Sequence, residues 1–87
     1  MPFSVYILYS SKSDRYYIGQ TENVSQRLER HNKGIVPATM PFVPWKLMYT
    51  EDFETRSESV RRETEIKKKK SRKYIEWLSE SGSTRPD

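Results

Sequence analysis

Five polar side chains occur at positions from which they could reach one common pocket. They are two tyrosines in strand-forming runs, an arginine and a histidine four residues apart, and a glutamate much later in the chain: Tyr6, Tyr17, Arg27, His31 and Glu63. A carboxylate on the apolar face of a helix costs free energy to bury unless it is paired or ligates a cation. The set therefore indicates a polar pocket over a sheet, with a glutamate that could bind a metal ion.

A β-hairpin would position the two tyrosines. Residues 5–9 and 16–19 are strand-forming runs, and the segment between them is polar and has the residue types of a turn. Side chains alternate along a strand, so the odd-numbered residues of the first run share one face and Tyr6 lies on the other. With a four-residue loop at 10–13, we predict that Tyr6 and Tyr17 lie directly opposite each other.

The arginine and the histidine belong to a predicted amphipathic helix over residues 22–33. Thr21 would cap its N-terminus, and Gly34 would end it. Arg27 and His31 lie on one face of this helix, beside its apolar residues. A helix needed only for packing would carry leucine or alanine at those two positions. The alternatives to a functional pair are a surface arginine and a polar histidine near the helix C-terminus.

A loop and a third strand follow. Three prolines exclude a helix over residues 34–45 and disfavour a central strand, so we predict a loop there. Residues 45–50 then alternate large apolar and other side chains, which predicts a strand. Three of its side chains should share one face: Trp45, Leu47 and Tyr49.

The glutamate belongs to a helix predicted over residues 56–69. Thr55 and Glu58 have the spacing of a capping box. Val60 and Ile66 are expected to anchor the helix inward, and Glu63 lies midway between them on the same stripe. As an alternative to metal binding, Glu63 could form an ion pair with a lysine four residues later.

A last short helix is predicted from a cap at Ser71 through Leu78. Its expected packing residues are Tyr74, Ile75, Trp77 and Leu78. The polar segment 79–87 is expected to be a disordered tail. Residues 1–78 would then form a single domain.

The composition excludes several classes of protein. The 87 residues include no cysteine, which excludes disulfides and thiolate metal sites. No run of eighteen apolar residues is present, so we expect no membrane span. The N-terminus lacks the pattern of a secretory signal, and together these features predict a cytoplasmic protein.

Positive charge is concentrated in one segment. The net charge is +4, but residues 61–73 contain eight cations and two acids, a local charge of +6. One explanation of this charge density is the binding of polyphosphates. The alternative is a solvated helix face with its cations near the C-terminus, where the helix dipole stabilises them. The candidate nucleic-acid-binding residues are Lys46, Arg61, Lys67, Lys68 and Lys70.

Taken in their order along the chain, these residues resemble the GIY-YIG nuclease domain. Ser4-Val5-Tyr6 and Tyr17-Ile18-Gly19 correspond to its two tripeptides, and Arg27, His31 and Glu63 follow at similar intervals. The resemblance covers residues 3–78 and is closest to small single-domain, UPF0213-like members. The first tripeptide departs from the family pattern, with Ser-Val in place of Gly-Ile. Because the tyrosine carries the chemistry, we do not expect this to abolish activity.

The resemblance implies an α+β fold, a three-stranded antiparallel sheet flanked by three helices. It also implies hydrolysis of phosphodiester bonds in DNA with one Mg²⁺ or Mn²⁺ held by Glu63. Arg27 would stabilise charge on the phosphoryl oxygens. Tyr6, its ionised form favoured by nearby cations, would take a proton from the attacking water. Tyr17 would bond the water or the phosphate, and His31 would orient Tyr6 or relay its proton.

Three functions are therefore compared. The first is a DNA endonuclease, structure-selective or weakly sequence-specific, since no segment for sequence recognition is evident. The second is a nucleic-acid-binding module without catalysis. The third is a protein-interaction domain with an exposed aromatic surface formed by Phe42, Trp45 and Phe53. The residues do not choose between DNA and RNA, and they do not indicate an oligomeric state.

Overall fold

The computed structural model describes residues 2–81 and has the predicted α+β architecture. One antiparallel sheet has three strands, with the first strand of the chain in the middle. No helix among the described residues is long and apolar enough to cross a membrane. The elements are β1 (Phe3–Ser10), β2 (Arg15–Thr21), α1 (Val24–Asn32), a one-turn 3₁₀ helix (Met40–Phe42), β3 (Lys46–Phe53), α2 (Arg56–Lys69) and α3 (Arg72–Ser81).

The hairpin is present, but its register differs from the prediction. Tyr6 pairs with Gly19, and Tyr17 pairs with Leu8. The loop has four residues as expected but begins one residue later, because the buried Ser10 hydroxyl accepts hydrogen bonds within the turn and extends β1. The predicted opposition of Tyr6 and Tyr17 is therefore wrong. A one-residue displacement of the loop moves the pairing by two, so both tyrosines keep the same face.

The two faces of the sheet carry separate clusters of buried side chains. One face, which we call the helical face, packs against α2 and α3 through Val5, Ile7, Ile18, Tyr49, Ile66 and Leu78. The other, which we call the tyrosine face, is covered by α1 and the proline-containing loop. Its buried hydrophobic residues are Tyr6, Leu8 and Trp45.

A β-bulge in the third strand changes the face of the sheet on which its side chains lie. Ile7 pairs with Tyr49, but the next residue of β1, Leu8, pairs with Leu47, which leaves Met48 as the extra residue. The extra residue reverses the alternation of side chains. Trp45 and Leu47 therefore pack on the tyrosine face and Tyr49 on the helical face, and the predicted sharing of one face is wrong.

Helix α1 is shorter than predicted and has a different cap. Asn23 is the N-cap, and its side chain accepts a hydrogen bond from the Gln26 N–H. Thr21 instead accepts a hydrogen bond from the Asn23 N–H. The predicted stop is confirmed, because Gly34 has φ +75°, in the left-handed region that glycine adopts without strain. The following loop contains one 3₁₀ turn that was not expected.

The predicted bounds of α2 and its capping box at Thr55 and Glu58 are confirmed. Ile66 is fully buried as expected, but Val60 is 42% exposed and is not an anchor. Ser59 takes the inward position, and its hydroxyl donates to Gln20 in β2. The inward stripe is thus 59, 63 and 66, so the position of Glu63 on it was predicted correctly.

Helix α3 begins after Ser71, whose hydroxyl accepts the Tyr74 N–H, and it extends beyond the predicted end. Because the helix continues to Ser81, a tail starting at residue 79 is wrong for residues 79–81, while 82–87 lie outside the described residues. Leu78 is buried, but Trp77 is 58% exposed and is not a packing residue. Its ring stacks on Tyr74 at a centroid distance of 5.9 Å.

Candidate active site

A chain of buried hydrogen bonds connects β1, α1 and the loop on the tyrosine face. The Tyr6 hydroxyl lies 3.0 Å from Nε2 of His31, and Nδ1 of His31 lies 2.7 Å from the Thr39 hydroxyl. His31 is 0% exposed and Thr39 is also buried. Thr39 in turn lies 3.4 Å from the Val36 carbonyl oxygen.

The donor and the acceptor in each of these hydrogen bonds can be assigned from the Val36 carbonyl oxygen, where the chain of bonds ends. A carbonyl oxygen can only accept, so the Thr39 hydroxyl donates to Val36 and accepts the Nδ1–H of His31. In the neutral imidazole Nε2 then carries no proton, and the Tyr6 hydroxyl donates to it. We infer this tautomer from the hydrogen-bond network. In this tautomer Nε2 of His31 carries a lone pair that can receive the Tyr6 proton.

Gly19 makes room for the Tyr6 ring in the neighbouring strand. A Cβ at this position would lie 2.6 Å from the Tyr6 hydroxyl oxygen and 2.7 Å from Cζ. Any other residue would therefore displace the phenol. Because Tyr6 pairs with Gly19, its ring crosses β2 toward the outer edge of the sheet. The glycine is thus a requirement of the site.

Tyr17 completes the aromatic group. Its ring lies 6.3 Å from that of Tyr6 and 5.0 Å from the His31 ring, edge-on in the second case. Tyr17 is half-buried, whereas Tyr6 is buried. The more exposed phenol is therefore the one that a ligand entering from solvent meets first.

Arg27 is half-buried on α1, and its Nε is buried without a hydrogen-bond partner among the described residues. Leaving a buried donor unpaired costs free energy, which an incoming oxygen acceptor would recover. Its guanidinium lies close enough to Tyr6 to lower the pKa of that hydroxyl. Arg27 is thus placed to receive an anion beside the phenol.

Burial dominates the protonation states. It raises the pKa of Tyr6 above its ordinary value, since the opposing effect of Arg27 is smaller. It also lowers the pKa of His31, an effect that Arg27 and Arg30 reinforce. In the free protein Tyr6 is therefore a protonated phenol and His31 a neutral imidazole. Arg27 favours the ionised phenol, as expected, but burial outweighs this effect in the free protein.

Glu63 lies near the same group but is engaged by a neighbour. Its side chain is 19% exposed, and Oε2 accepts a hydrogen bond from Lys67 Nζ at 2.7 Å. The predicted alternative, an ion pair four residues apart, is thus present. Its negative charge also raises the pKa of Tyr6, although as the smallest of the contributions. The carboxylate therefore acts electrostatically on the tyrosine site.

The side chains near Glu63 suit only a metal ion that keeps most of its water ligands. Among residues 2–81 no three histidine, cysteine, aspartate or glutamate side chains are grouped to enclose an ion. Mg²⁺ and Mn²⁺ favour oxygen ligands, and Mg²⁺ usually keeps several waters while one or two carboxylates and substrate phosphates complete its shell. Glu63 fits such a hydrated ion, provided that Lys67 moves from the carboxylate oxygen it now contacts.

The predicted nucleic-acid-binding residues separate into groups. Lys67 and Lys70 line a groove of about 430 Å³ at the outer edge of β2, together with Tyr17 and Thr39. Lys68 is exposed on the same helix. Two others lie elsewhere. Lys46 is exposed on β3 opposite Tyr9, and Arg61 lines a different cleft that also contains Glu51, Asp52, Glu58 and Glu65.

Two residues that sequence reasoning missed position the histidine. Thr39 accepts its Nδ1–H, and Asn32 fixes the loop that carries Thr39. The Asn32 side chain accepts the Trp45 N–H at 2.6 Å and donates to the Trp45 carbonyl at 3.0 Å. No local pattern marks a threonine in a proline-containing loop. Asn32 directly follows the histidine, but only the pairing with residue 45 shows its role.

The aromatic residues proposed as a protein-binding surface are not exposed. Trp45 is 5% exposed, and its indole N–H donates to the Thr39 carbonyl oxygen. Phe42 and Phe53 are half-buried and lie against different clusters, one on each face of the sheet. A shared exposed aromatic surface is therefore wrong for these three residues.

Comparison with known proteins defines the class. The GIY-YIG catalytic domain matches residues 2–75, so this chain belongs to the GIY-YIG family. Within it, the chain is similar to UPF0213 proteins. One from Streptococcus pneumoniae is 35% identical over 78 residues, covering 88% of this chain and 78% of the relative. One from Staphylococcus aureus is 36% identical over 77 residues, covering 87% and 93%.

A solved structure agrees with this assignment. The solution NMR structure of a UPF0213 protein from Bacillus halodurans is 34% identical in sequence, with a TM-score of 0.54. The similarity covers 90% of this chain and 82% of that one. The resemblance drawn from the tyrosine tripeptides is thus confirmed, as is the α+β fold with three strands and three helices.

Proposed function

We propose that this protein is an endonuclease that hydrolyses phosphodiester bonds in DNA with one Mg²⁺ or Mn²⁺, selecting substrates by structure or with weak sequence preference. The observation that carries the proposal is the buried bond from Tyr6 to a neutral His31, beside an arginine whose Nε has no partner among the described residues. Membership of a nuclease family supports a nucleic-acid substrate.

Arg27 binds the scissile phosphate in this mechanism. Its unpartnered Nε and its position beside Tyr6 would place a phosphoryl oxygen next to the phenol. A guanidinium binds phosphate through several fixed donors and retains its charge at any physiological pH. The same charge stabilises the negative charge that develops on the phosphoryl oxygens.

Tyr6 and His31 move the proton. The Tyr6 hydroxyl first gives its proton to Nε2 of His31, and the resulting phenolate then takes a proton from the attacking water. As the water oxygen bonds to phosphorus, the bond to the 3′ oxygen breaks; that oxygen takes up a proton from solvent, and the imidazolium releases one to solvent. Burial opposes both a phenolate and an imidazolium in the free protein. The two charges are therefore formed together and next to each other, with Arg27 favouring the phenolate.

Glu63 is the residue that would hold the metal ion, whose chemistry would be to polarise the phosphate and neutralise the leaving oxygen. Lys67 occupies one carboxylate oxygen in the free protein. Its withdrawal is a condition for metal binding, and the phosphates of a bound strand offer it a new partner. Tyr17, at the more exposed side of the group, would bond the water or the phosphate.

Removal of the Tyr6 hydroxyl or of the Glu63 carboxylate tests this function. Tyr6→Phe and Glu63→Ala should each lower Mg²⁺-dependent cleavage of a panel of branched, flapped, nicked and single-stranded DNA about 100-fold or more. Tyr9→Phe is the matched control, because that hydroxyl contacts Asp14 in the hairpin loop. Wild-type cleavage by either site variant, with folding intact by circular dichroism, would exclude this function.

A nucleic-acid-binding module without catalysis is the second candidate. The engaged carboxylate of Glu63 and the raised pKa of Tyr6 favour it, since both describe an inactive arrangement in the free protein. Affinity and cleavage on the same panel separate the two candidates. Tight binding with no product in Mg²⁺ or Mn²⁺ would select the binding module.

A further inference from the structure

The groove at the outer edge of β2 combines positive charge with aromatic side chains. Four of its lining residues are cations and only one is an acid, Asp14. Its walls come from the start of β2 on one side and from the end of α2 and start of α3 on the other. The cations are Arg15, Lys67, Lys70 and Arg72.

Two of these cations have no ion pair within residues 2–81. Arg72 bonds to Asp14 and Glu76, and Lys67 bonds to Glu63, so their charges are already compensated. Arg15 and Lys70 have no such partner among the described residues, and both are exposed. Since each lines a different part of the groove, two separate positions are available for phosphates.

The aromatic part of the groove is a stacking surface. The Arg15 guanidinium lies over the Phe42 ring at 4.4 Å from its centroid, and the Phe42 ring meets Trp45 nearly at a right angle. Unpaired bases stack on aromatic rings and on arginine planes, and this stacking accepts any base. A duplex keeps its bases stacked inside and presents phosphates, so it would leave this surface unused.

The groove leads directly to the tyrosine site. Tyr17 and Thr39 line it, and both contact His31, through the ring edge and through a hydrogen bond respectively. Lys67 lines it as well and bonds to Glu63. A strand lying in the groove is therefore continuous with the group that contains Tyr6.

From these features we propose that the groove binds an unpaired DNA strand. One base stacks on the Arg15–Phe42 pair, phosphates contact Arg15 and Lys70, and the strand continues toward Tyr6. This inference rests on the proposed function, to which it adds the substrate class. The preferred substrate then has a single-stranded segment next to the cleaved bond.

Binding measured without cleavage tests the groove. Fluorescence anisotropy of the full chain carrying Tyr6→Phe compares one labelled oligonucleotide as a single strand and as a duplex. Single-strand binding should be tighter. Adding Arg15→Gln should raise the single-strand Kd about ten-fold, from the loss of a stacking plane and a phosphate contact. Phe42→Leu, which keeps an apolar side chain, should weaken single-strand binding in the same direction.

Lys33→Gln is the charge-matched control, since Lys33 is exposed at the end of α1 and lines a separate cleft. Arg15 is exposed, so its variant remains informative even if Phe42→Leu destabilises the protein. Equal affinity for duplex and single strand, or equal effects of Arg15→Gln and Lys33→Gln, would overturn the proposal.

The test separates this inference from the proposed function. Single-strand binding that depends on Arg15, with no cleavage of any substrate by the wild-type chain, supports the groove and refutes hydrolysis. Cleavage by the wild-type chain that is unaffected by Arg15→Gln and equal on duplex and single-stranded DNA supports hydrolysis and refutes the groove.

Discussion

The two faces of the sheet are stabilised in different ways. On the helical face the buried residues are predominantly apolar, with Val5, Ile7 and Ile66 fully buried. On the tyrosine face the buried group includes a phenol, an imidazole and a hydroxyl, each of which needs a hydrogen-bond partner. Apolar packing depends mainly on volume, whereas the polar group depends on the direction of each bond. The first supports the fold and the second is suited to chemistry.

Two arginines show the same contrast. Arg62, at the edge of the helical face, donates to Glu51, Glu65 and the Tyr74 hydroxyl. Arg27, on the tyrosine face, has a buried Nε with no partner among the described residues. The first guanidinium has protein partners for its donors, while the second has a donor left for a ligand. Two arginines of similar burial can thus have different roles.

The largest effect on stability is expected from the helical face. Ile7→Ala should lower the free energy of unfolding by about 2–5 kcal/mol, because it truncates a fully buried side chain and leaves a cavity. Chemical denaturation measures the loss. Cleavage per folded molecule should stay at the wild-type level, since the Ile7 side chain packs on the helical face and does not line the groove. A fall in cleavage beyond the loss of folded protein would contradict the separation of the faces.

A smaller loss of stability but a larger loss of activity is expected at Gly19. Gly19→Ala places a methyl group against the Tyr6 ring, and overpacking of this kind costs about 1–3 kcal/mol. The ring must move from His31, so cleavage should fall as for Tyr6→Phe. Gly34→Ala is the matched control. It strains a left-handed residue, although a Cβ there would make only an ordinary contact with Met40 at 3.6 Å. Stability should therefore fall while cleavage remains.

Local patterns in the sequence predicted the parts of the fold that are local. The capping box at Thr55, the bounds of α2 and the stop at Gly34 depend on residues within one or two turns, and all are confirmed. The hairpin register was missed because the Ser10 hydroxyl extends the first strand. The bulge at Met48 was missed because it depends on pairing between strands distant in sequence.

Some residues of the candidate site could likewise be predicted from local sequence patterns, and others could not. The tyrosine tripeptides and the pair Arg27 and His31 are visible as residue types at defined spacing. Thr39 is not, because its role depends on where a loop crosses α1, and that crossing is fixed by hydrogen bonds between Asn32 and Trp45. The burial of His31, which decides its protonation, is likewise a property of the assembled fold.

A loss of stability similar to that of Gly19→Ala is expected from the bond that fixes the imidazole. Thr39→Val should cost about 1–3 kcal/mol, because it leaves the buried Nδ1–H of His31 without an acceptor. The imidazole should then change to the Nε2–H tautomer and donate to Tyr6, which prevents it from taking the Tyr6 proton. Imidazole ¹⁵N shifts should report the change, cleavage should fall, and Thr39→Ser should restore both. An unchanged tautomer with lowered cleavage would contradict this role.

The same histidine gives stability a defined pH dependence. Burial lowers the pKa of His31, so the unfolded chain takes up a proton near pH 6.5 that the folded chain does not. The free energy of unfolding should therefore decrease as the pH falls below about 6.5, until the lower folded-state pKa is reached. The chain has one histidine, so an NMR titration of its imidazole measures that pKa directly. A value at or above 6.5 would contradict the effect of burial, and the loss of stability below pH 6.5 would then not come from His31.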